Sequence, residues 1–421
     1  MRTWGEEFIQ KFKPHSTVVK AIFNIARCRT PKLGGRRIEC MDCGHSFEVY
    51  NSCGNRNCPI CQSIKKELWI DKTAAMLLPT PHSHVVFTVA HELNPLFFHN
   101  MKALYGILFA SANKAVQELC ADPKWLGAQP GMVATLHTWG SNTIFHPHLH
   151  VILSAGGWDE KQQKWIEPQK LKYGFFIPQK VLADCFKKHF LFAFAELWRE
   201  GNLLLPKELM HLNNPVAFRQ FYNQIAFKKN WIVKVMPPLD NPKRVIDYLG
   251  RYVYRVAITD SRIKEVNVKE RRVVFEYKDY AAQSDQTKPP PIKSMTLEAM
   301  EFIRRFAQHV LPQGFQKIRY FGIYGTAYRK KILPIILQTL NAPISQVLMR
   351  SVCQIVTAIT GHNPNACPCC GAEKLVVHII VPIKTPPNNQ STAQINKHNN
   401  LIARPPPQTQ PVFGGSVGLS A

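Results

Sequence analysis

Three sets of side chains in this 421-residue chain have the types and spacing to do chemistry. The sharpest is the segment HPHLHVIL, His146 to Leu153. Along a β-strand alternate side chains share a face, so His148 and His150 project together while Leu149 and Val151 turn away. Neutral imidazole is a common metal ligand, and a divalent cation held there can polarise a phosphoryl oxygen. A hairpin turning through Gly140, Ser141 and Asn142 toward Phe145 sets His137 opposite His148, close enough to share an ion. His146 has the same parity, but Pro147 marks the expected start of the strand and leaves its direction open. The competing reading makes these histidines polar groups on a solvated face or core residues satisfied by backbone. A His-x-His facing a third histidine favours the metal.

The second set lies in NPKRVIDYLGRYVYRVA, where Asn241-Pro242 is a helix entry and the following residues have helical periodicity. Tyr248 and Tyr252 are four apart and share a face, whereas Tyr254 points elsewhere. Gly250 between them costs about 1 kcal/mol of helix stability relative to Ala, so it either allows close approach of a ligand or marks an imperfect helix. Such a pair alone is ordinarily packing. Beside a metal that polarises a phosphodiester, a phenol becomes a nucleophile able to form a covalent intermediate, and two on one face allow two successive cuts.

Cysteines form the third set. Six of twelve fall between Cys28 and Cys61, and no secretion signal precedes them, which favours metal over disulfides. Cys40-x2-Cys43 and Cys58-x2-Cys61, separated by fourteen residues, fit one tetrahedral structural zinc site. Cys53, His45 and Cys28 are alternative ligands or belong to a second ion. Near the other end Cys367 and Cys370 make half a site, which His362 and His378 could complete; a degenerate ribbon or a partner contact explains it equally. Zinc here either organises DNA recognition or substitutes for a small module's missing core.

The elements that must position these groups read as α+β. A helical stretch from Trp4 to about Ile25 leads into the cysteine module. His84 to Ala90 is a buried strand, Leu96 to Leu119 a long helix, and Met132 to Trp139 and His148 to Ser154 two further strands, the second closed by Gly156-Gly157. Val181 to Trp198 is helical. Arg272 to Tyr277 is a strand, a proline run follows within Lys288 to Lys293, and Leu297 to Leu311 is a periodic helix stopped by Pro312 and Gly314. Past about Pro382 the composition is that of a disordered tail. The expected division is 1–75, a helix plus zinc-binding DNA-recognition module; 76–262, an antiparallel-sheet catalytic domain with packed helices and the tyrosine helix; 263–382, an accessory DNA-binding region; and 383–421, the disordered tail.

Lys and Arg number 53 against 28 Asp and Glu, a formal charge of +25, spread along the chain. An anionic polymer is the natural partner, and the chain reads as cytosolic, without a membrane span. Basic pairs such as Lys187-Lys188, Arg271-Arg272 and Arg329-Lys330-Lys331 alternate with Trp231, Tyr277, Tyr280 and Tyr320, a mixture suited to single strands.

HPHLH followed by a strand and Gly-Gly, then YLGRYVY, resembles the HUH endonuclease superfamily and, within it, the two-tyrosine rolling-circle transposases of bacterial insertion-sequence family ninety-one. LGGRRIECMDCG, YNSCGNRNCPICQ, HTWG, KDY and EFIRRFAQHVLPQGFQKIRYFG extend the resemblance over most of the chain. It implies His148 and His150 as metal ligands and Tyr248 and Tyr252 as nucleophiles; with His137 added from the hairpin geometry the expected ion is Mg²⁺ or Mn²⁺, and the cysteine spacing places structural Zn²⁺ on Cys40, Cys43, Cys58 and Cys61. Arg36, Arg37, Arg56, Lys65 and Arg251, with Lys66 nearby, are the expected DNA contacts. The implied partners are single-stranded DNA at transposon ends and target DNA, with host replication proteins admitted, and the implied product is a 5′-phosphotyrosine link. A plasmid replication initiator or relaxase shares this chemistry. A non-catalytic zinc-ribbon regulator would explain the charge and cysteines but leave the histidines and tyrosines as coincidence.

Overall fold

The computed structural model describes residues 1–168, 177–227, 231–236, 238–239, 245, 250, 253–254, 256–280, 282–283, 288–342 and 349–382. Tyr248, Tyr252, Arg251, the Asn241-Pro242 helix entry and the tail from 383 lie outside the described residues.

The first helical stretch is two helices, α1 (Gly5–Phe12) and α2 (Ser16–Arg27). Lys13 adopts a left-handed φ of 44° and Pro14 follows, a residue that disfavours helix in its predecessor and donates no amide. His15 restarts the helix by accepting the Thr17 amide on Nδ1 at 3.3 Å. A hairpin of β1 (Gly35–Cys40) and β2 (Ser46–Tyr50) then precedes α3 (Pro59–Ala74), with Pro59 in the first turn.

The central sheet has the order β11-β4-β5-β3-β7, all neighbours antiparallel, built from β3 (His82–Thr88), β4 (Gln129–Trp139), β5 (Phe145–Asp159), β7 (Ile232–Val235) and β11 (Ile318–Gly322). A short β6 (Lys164–Ile166) pairs with the end of β5. One face, carrying Phe87, Leu149, Val151 and Leu153, is buried in the main core against α5 (Met101–Ala121) and α6 (Gln179–Arg199). α4 (Asn94–His99) and α7 (Pro215–Phe227) complete that layer. The opposite face carries Val133 and Ile152, packed with Trp69 of α3, Val245, Val253 and Tyr324.

β5 is longer than its sequence suggests at both ends. Pro147 does not start it but falls within it, at the register shift between the His137 and Trp139 pairings, where no ladder amide is needed. Nor does Gly156-Gly157 close it: a Cβ on Gly156 would come within 2.5 Å of the Trp165 indole, so the glycine lets β6 lie flat on the strand.

The elements of the third region pack against the others at several places. β8 (Ile263–Asn267), β9 (Arg272–Lys278) and β10 (Ile292–Glu298) form their own sheet, and α8 (Ala299–Ala307) packs Ile303 and Phe306 against Trp4, Phe8 and Ile22. β11 joins the central sheet; α9 (Thr326–Thr339) follows it, then α10 (Val352–Thr360). The last strand, β12 (Leu375–Ile380), pairs with β1 in the order β12-β1-β2. The expected helix from Leu297 to Leu311 is shorter. Leu297 lies within β10, the Glu298 carboxylate accepts the amides of Met300 and Glu301, and the helix stops at Ala307 while Val310 and Leu311 continue into the core. Among the described residues no helix is long and apolar enough to cross a membrane.

Candidate active site

The β4–β5 hairpin brings three histidines together. Its register pairs His137 with His148 and Thr135 with His150, so all three imidazoles emerge on the face opposite the main core. Their ligand nitrogens lie within 4.8 Å of one another, and Nε2 of His148 is 3.1 Å from Nε2 of His150. Two nitrogens each about 2.1 Å from one ion at a right angle would stand about 3 Å apart, so the spacing fits a shared cation. His148 and His150 keep 9% and 8% of their surface exposed and His137 2%, which puts the opening on the β5 side.

The ring orientations are held from behind. His148 Nδ1 lies 2.7 Å from the His146 carbonyl, so Nδ1 carries the proton and the Nε2 lone pair faces the cluster. His150 Nδ1 lies 2.9 Å from Nε2 of His84, and Nδ1 of His84 faces Met236 Sδ at 3.3 Å. With Nε2 of His150 as ligand, its Nδ1–H donates to His84. Burial, then Lys234, pushes His84 down to about 4, which keeps it a neutral acceptor. Trp139 stacks on His137 with ring centroids 4.8 Å apart. His84 was missed at the sequence level although the signal was there: HSHVVF carries a second His-x-His at strand parity. The other member, His82, is a satisfied core residue, bonded through Nδ1 to the Thr80 carbonyl at 2.7 Å and through Nε2 to the Tyr324 hydroxyl at 2.6 Å.

The described residues of the tyrosine segment lie over this same face. Val245 and Val253, which bracket Tyr248 and Tyr252 in sequence, are fully buried in the cluster that contains Val133 and Ile152. Gly250 meets α3, where a Cβ would sit 2.4 Å from Ile70 Cδ1; helix packing is therefore a sufficient reason for its lack of a side chain. Tyr254 is half-buried beside Trp69, and burial, then Tyr320, raises its phenol pKa. Lys317 lies over its ring at 5.8 Å, and burial, reinforced by Arg56, lowers that ammonium to about 8.

The cysteines assemble differently from the expected single site on Cys40, Cys43, Cys58 and Cys61. The two pairs part company. Cys58 and Cys61, at the start of α3, join Cys28 at the end of α2 and Cys53, while Cys40 and Cys43 join Cys367 and Cys370. The cause is the hairpin: Cys40 and Cys43 are at its tip, whereas Cys28 and Cys53 flank its base, and a six-residue strand spans about 20 Å. In the first cluster Sγ of Cys28 is 3.6 Å from those of Cys58 and Cys61, and Cys53 Sγ is 3.6 Å from Cys61. His362 and His378 belong to neither group.

Of the expected DNA contacts, Arg36 and Arg37 are exposed on β1, and Arg37 Nε donates to Ser46 Oγ at 3.1 Å. Arg56 donates to the Phe315 carbonyl at 2.7 Å and Lys65 to the Gly54 carbonyl at 2.8 Å, so both also brace their surroundings. Lys66 pairs with Glu67.

Residues 1–89 match the family described as a transposase zinc-binding domain, and residues 131–331 match the family described as a putative transposase. These matches define the class as a transposase carrying a zinc-binding domain, with the first cysteine cluster inside that domain. A putative transposase, y4qJ, of Sinorhizobium fredii is 35% identical over 398 residues, covering 93% of this chain and 97% of that protein. The transposase for insertion sequence element IS801 of Pseudomonas savastanoi pv. phaseolicola is 26% identical over 366 residues, 84% of this chain and 82% of that protein. No solved structure matches the chain. The chain belongs to the IS91 family of transposases, DNA-binding and DNA-cleaving enzymes, and its zinc-binding domain with the cysteines it carries supports structural zinc.

Proposed function

We propose that the chain nicks single-stranded DNA at transposon ends and joins it to target DNA through a 5′-phosphotyrosine intermediate, driving rolling-circle transposition. The convergence of His137, His148 and His150 on the sheet face that also packs Val245 and Val253 carries this reading. The three imidazoles fit a divalent cation: their nitrogens cluster within 4.8 Å, and two of the rings are oriented through their far nitrogens. Imidazole on one side leaves other positions to water and phosphate oxygens, the ligands that Mg²⁺ or Mn²⁺ favour. When bound, the cation supplies polarisation of the scissile phosphate and neutralisation of its developing charge.

Tyr248 or Tyr252 attacks the phosphorus. A bond forms from the phenol oxygen to phosphorus as the bond to the 3′ oxygen breaks, and that oxygen takes up a proton to leave as a 3′ hydroxyl able to prime synthesis. The second tyrosine serves target cleavage or termination. Arg36 and Arg37, with Arg56, Lys65 and Arg251, hold phosphates of the strand. A replication initiator or relaxase would use the same chemistry, but the zinc-binding-domain match and two relatives named as transposases favour transposition.

The test uses single-stranded oligonucleotides carrying element ends, labelled on the 3′ side of the cut, with Mn²⁺ or Mg²⁺. A labelled protein–DNA adduct is expected on denaturing gels for wild type and for each of Tyr248→Phe and Tyr252→Phe at reduced yield. The double variant and His148→Ala/His150→Ala should give none. An adduct persisting in the double tyrosine variant would reject the assignment.

A further inference from the structure

We propose that Cys40, Cys43, Cys367 and Cys370 hold a second zinc ion that fastens the C-terminal segment to the N-terminal module. Cys367 and Cys370 lie beyond both matched regions, 1–89 and 131–331. The partners are far apart in sequence, 330 positions for Cys40 and Cys370 and 324 for Cys43 and Cys367, yet their Sγ atoms are 3.6 and 3.7 Å apart. Four thiolates about 2.3 Å from a tetrahedral zinc stand about 3.8 Å from one another. All four sulfurs lie within 4.8 Å.

The two halves are built alike, which a chance meeting of thiols would not produce. Each is Cys-x2-Cys-Gly. In the first the Gly44 amide donates to the Cys40 carbonyl at 2.9 Å and the Cys40 amide to the His45 carbonyl at 2.9 Å; in the second the Gly371 amide donates to Cys367 at 2.9 Å and the Cys367 amide to Ala372 at 2.8 Å. Gly44 and Gly371 sit at φ 69° and 79°, left-handed turns that bring both cysteines of a pair to one side. The Cys369 amide points at Cys367 Sγ, 3.4 Å away, a donor suited to a thiolate. Cys369 itself is exposed and outside the cluster.

Two further contacts bring the segment to this place. β12 pairs with β1 from Gly35–Ile380 to Cys40–Leu375, and the Met41 amide donates to the Lys374 carbonyl at 3.0 Å, delivering the knuckles to each other. Arg350, just before α10, grips α3: its guanidinium donates to both oxygens of the buried Asp71, at 3.0 and 2.7 Å, and to Glu67 at 3.0 Å. The zinc would thus lock a return of the chain that the ladder and the ion pair already guide.

Metal analysis of the full-length protein purified with zinc and without chelator should give two zinc ions per chain. Cys367→Ser/Cys370→Ser and Cys40→Ser/Cys43→Ser should each give one, and Cys369→Ser two. One zinc in wild type, or an unchanged count in Cys367→Ser/Cys370→Ser, overturns the proposal. Alkylation of wild type, mapped by mass spectrometry, is independent of how the variants fold. Cys43, Cys369 and Cys370 are all exposed, so only bound metal would shield two of them. Cys369 should react at once, and Cys43 and Cys370 only after EDTA. Equal labelling of all three in the zinc-loaded protein, or protection lifted by a reductant and not by EDTA, counts against the site.

Discussion

At the scale of single residues, the proposed metal centre depends on a relay: His84 accepts from His150 and thereby fixes which nitrogen of His150 faces His137 and His148. Removing such a supporting group typically costs about 10- to 100-fold in metal affinity or activity. His84→Ala should therefore raise the Mn²⁺ concentration needed for half-maximal nicking by about that factor, and His84→Gln, which keeps an acceptor, should recover part of it. An unchanged Mn²⁺ titration in His84→Ala would remove His84 from the site. The triad itself was legible because strand alternation and a short turn fix which side chains meet. His84 was not, because its partner lies on a strand whose pairing with β5 is set by the whole sheet rather than by local sequence.

Between elements, α3 is the meeting point of the zinc module, the central sheet and the returning C-terminal segment. Gly250 is pressed against it, with Ile70 Cδ1 and Cγ1 at 2.4 and 2.9 Å from any added Cβ. Gly250→Ala gains helix propensity but overpacks this contact, and overpacking costs about 1–3 kcal/mol. The expected net result is a lower denaturant midpoint, partly restored when Ile70→Ala is combined with it; additive losses in that double-mutant cycle would contradict the contact. What is legible in the sequence, and what is not, has one physical reason. Strands and helices with strong periodicity, such as β3 and α6, were read nearly to their ends. Long-range pairings were not: nothing local in Ile318–Gly322 says that it extends the central sheet, nor in Leu375–Ile380 that it completes the first. The equal Cys-x2-Cys spacings pointed to one site, and only the length of the intervening hairpin separates them.

For the molecule as a whole, charge and buried histidines govern its response to solution conditions. Burial depresses both His82 and His309 to about 4. With folded values below an unfolded value of about 6.5, their contribution to stability is complete above that pH and is lost as pH falls toward 4. Each is worth about 3 kcal/mol across that window. Urea midpoints should drop between pH 6.5 and 4.5, and the drop should shrink in His309→Gln; a flat profile would mean that neither histidine stays neutral in the fold. The excess of 53 Lys and Arg over 28 Asp and Glu makes DNA affinity fall steeply with salt. Filter binding between 50 and 200 mM salt should lose about a thousandfold if six or more phosphates are engaged, and a slope near zero would contradict an electrostatic interface.

The pairing of β12 with β1 also sets an order of events during synthesis. Until Ile380 leaves the ribosome, one edge of β1 has no neighbour and the hairpin tip presents two lone thiols, though its own strand partner β2 is already made. At about 5–20 residues per second that wait lasts tens of seconds, long enough for an exposed strand edge to find a wrong partner. A chain cut short between β11 and its last knuckle would keep the whole histidine sheet and still leave its first module unfinished, so synthesis of that knuckle doubles as a checkpoint on assembly.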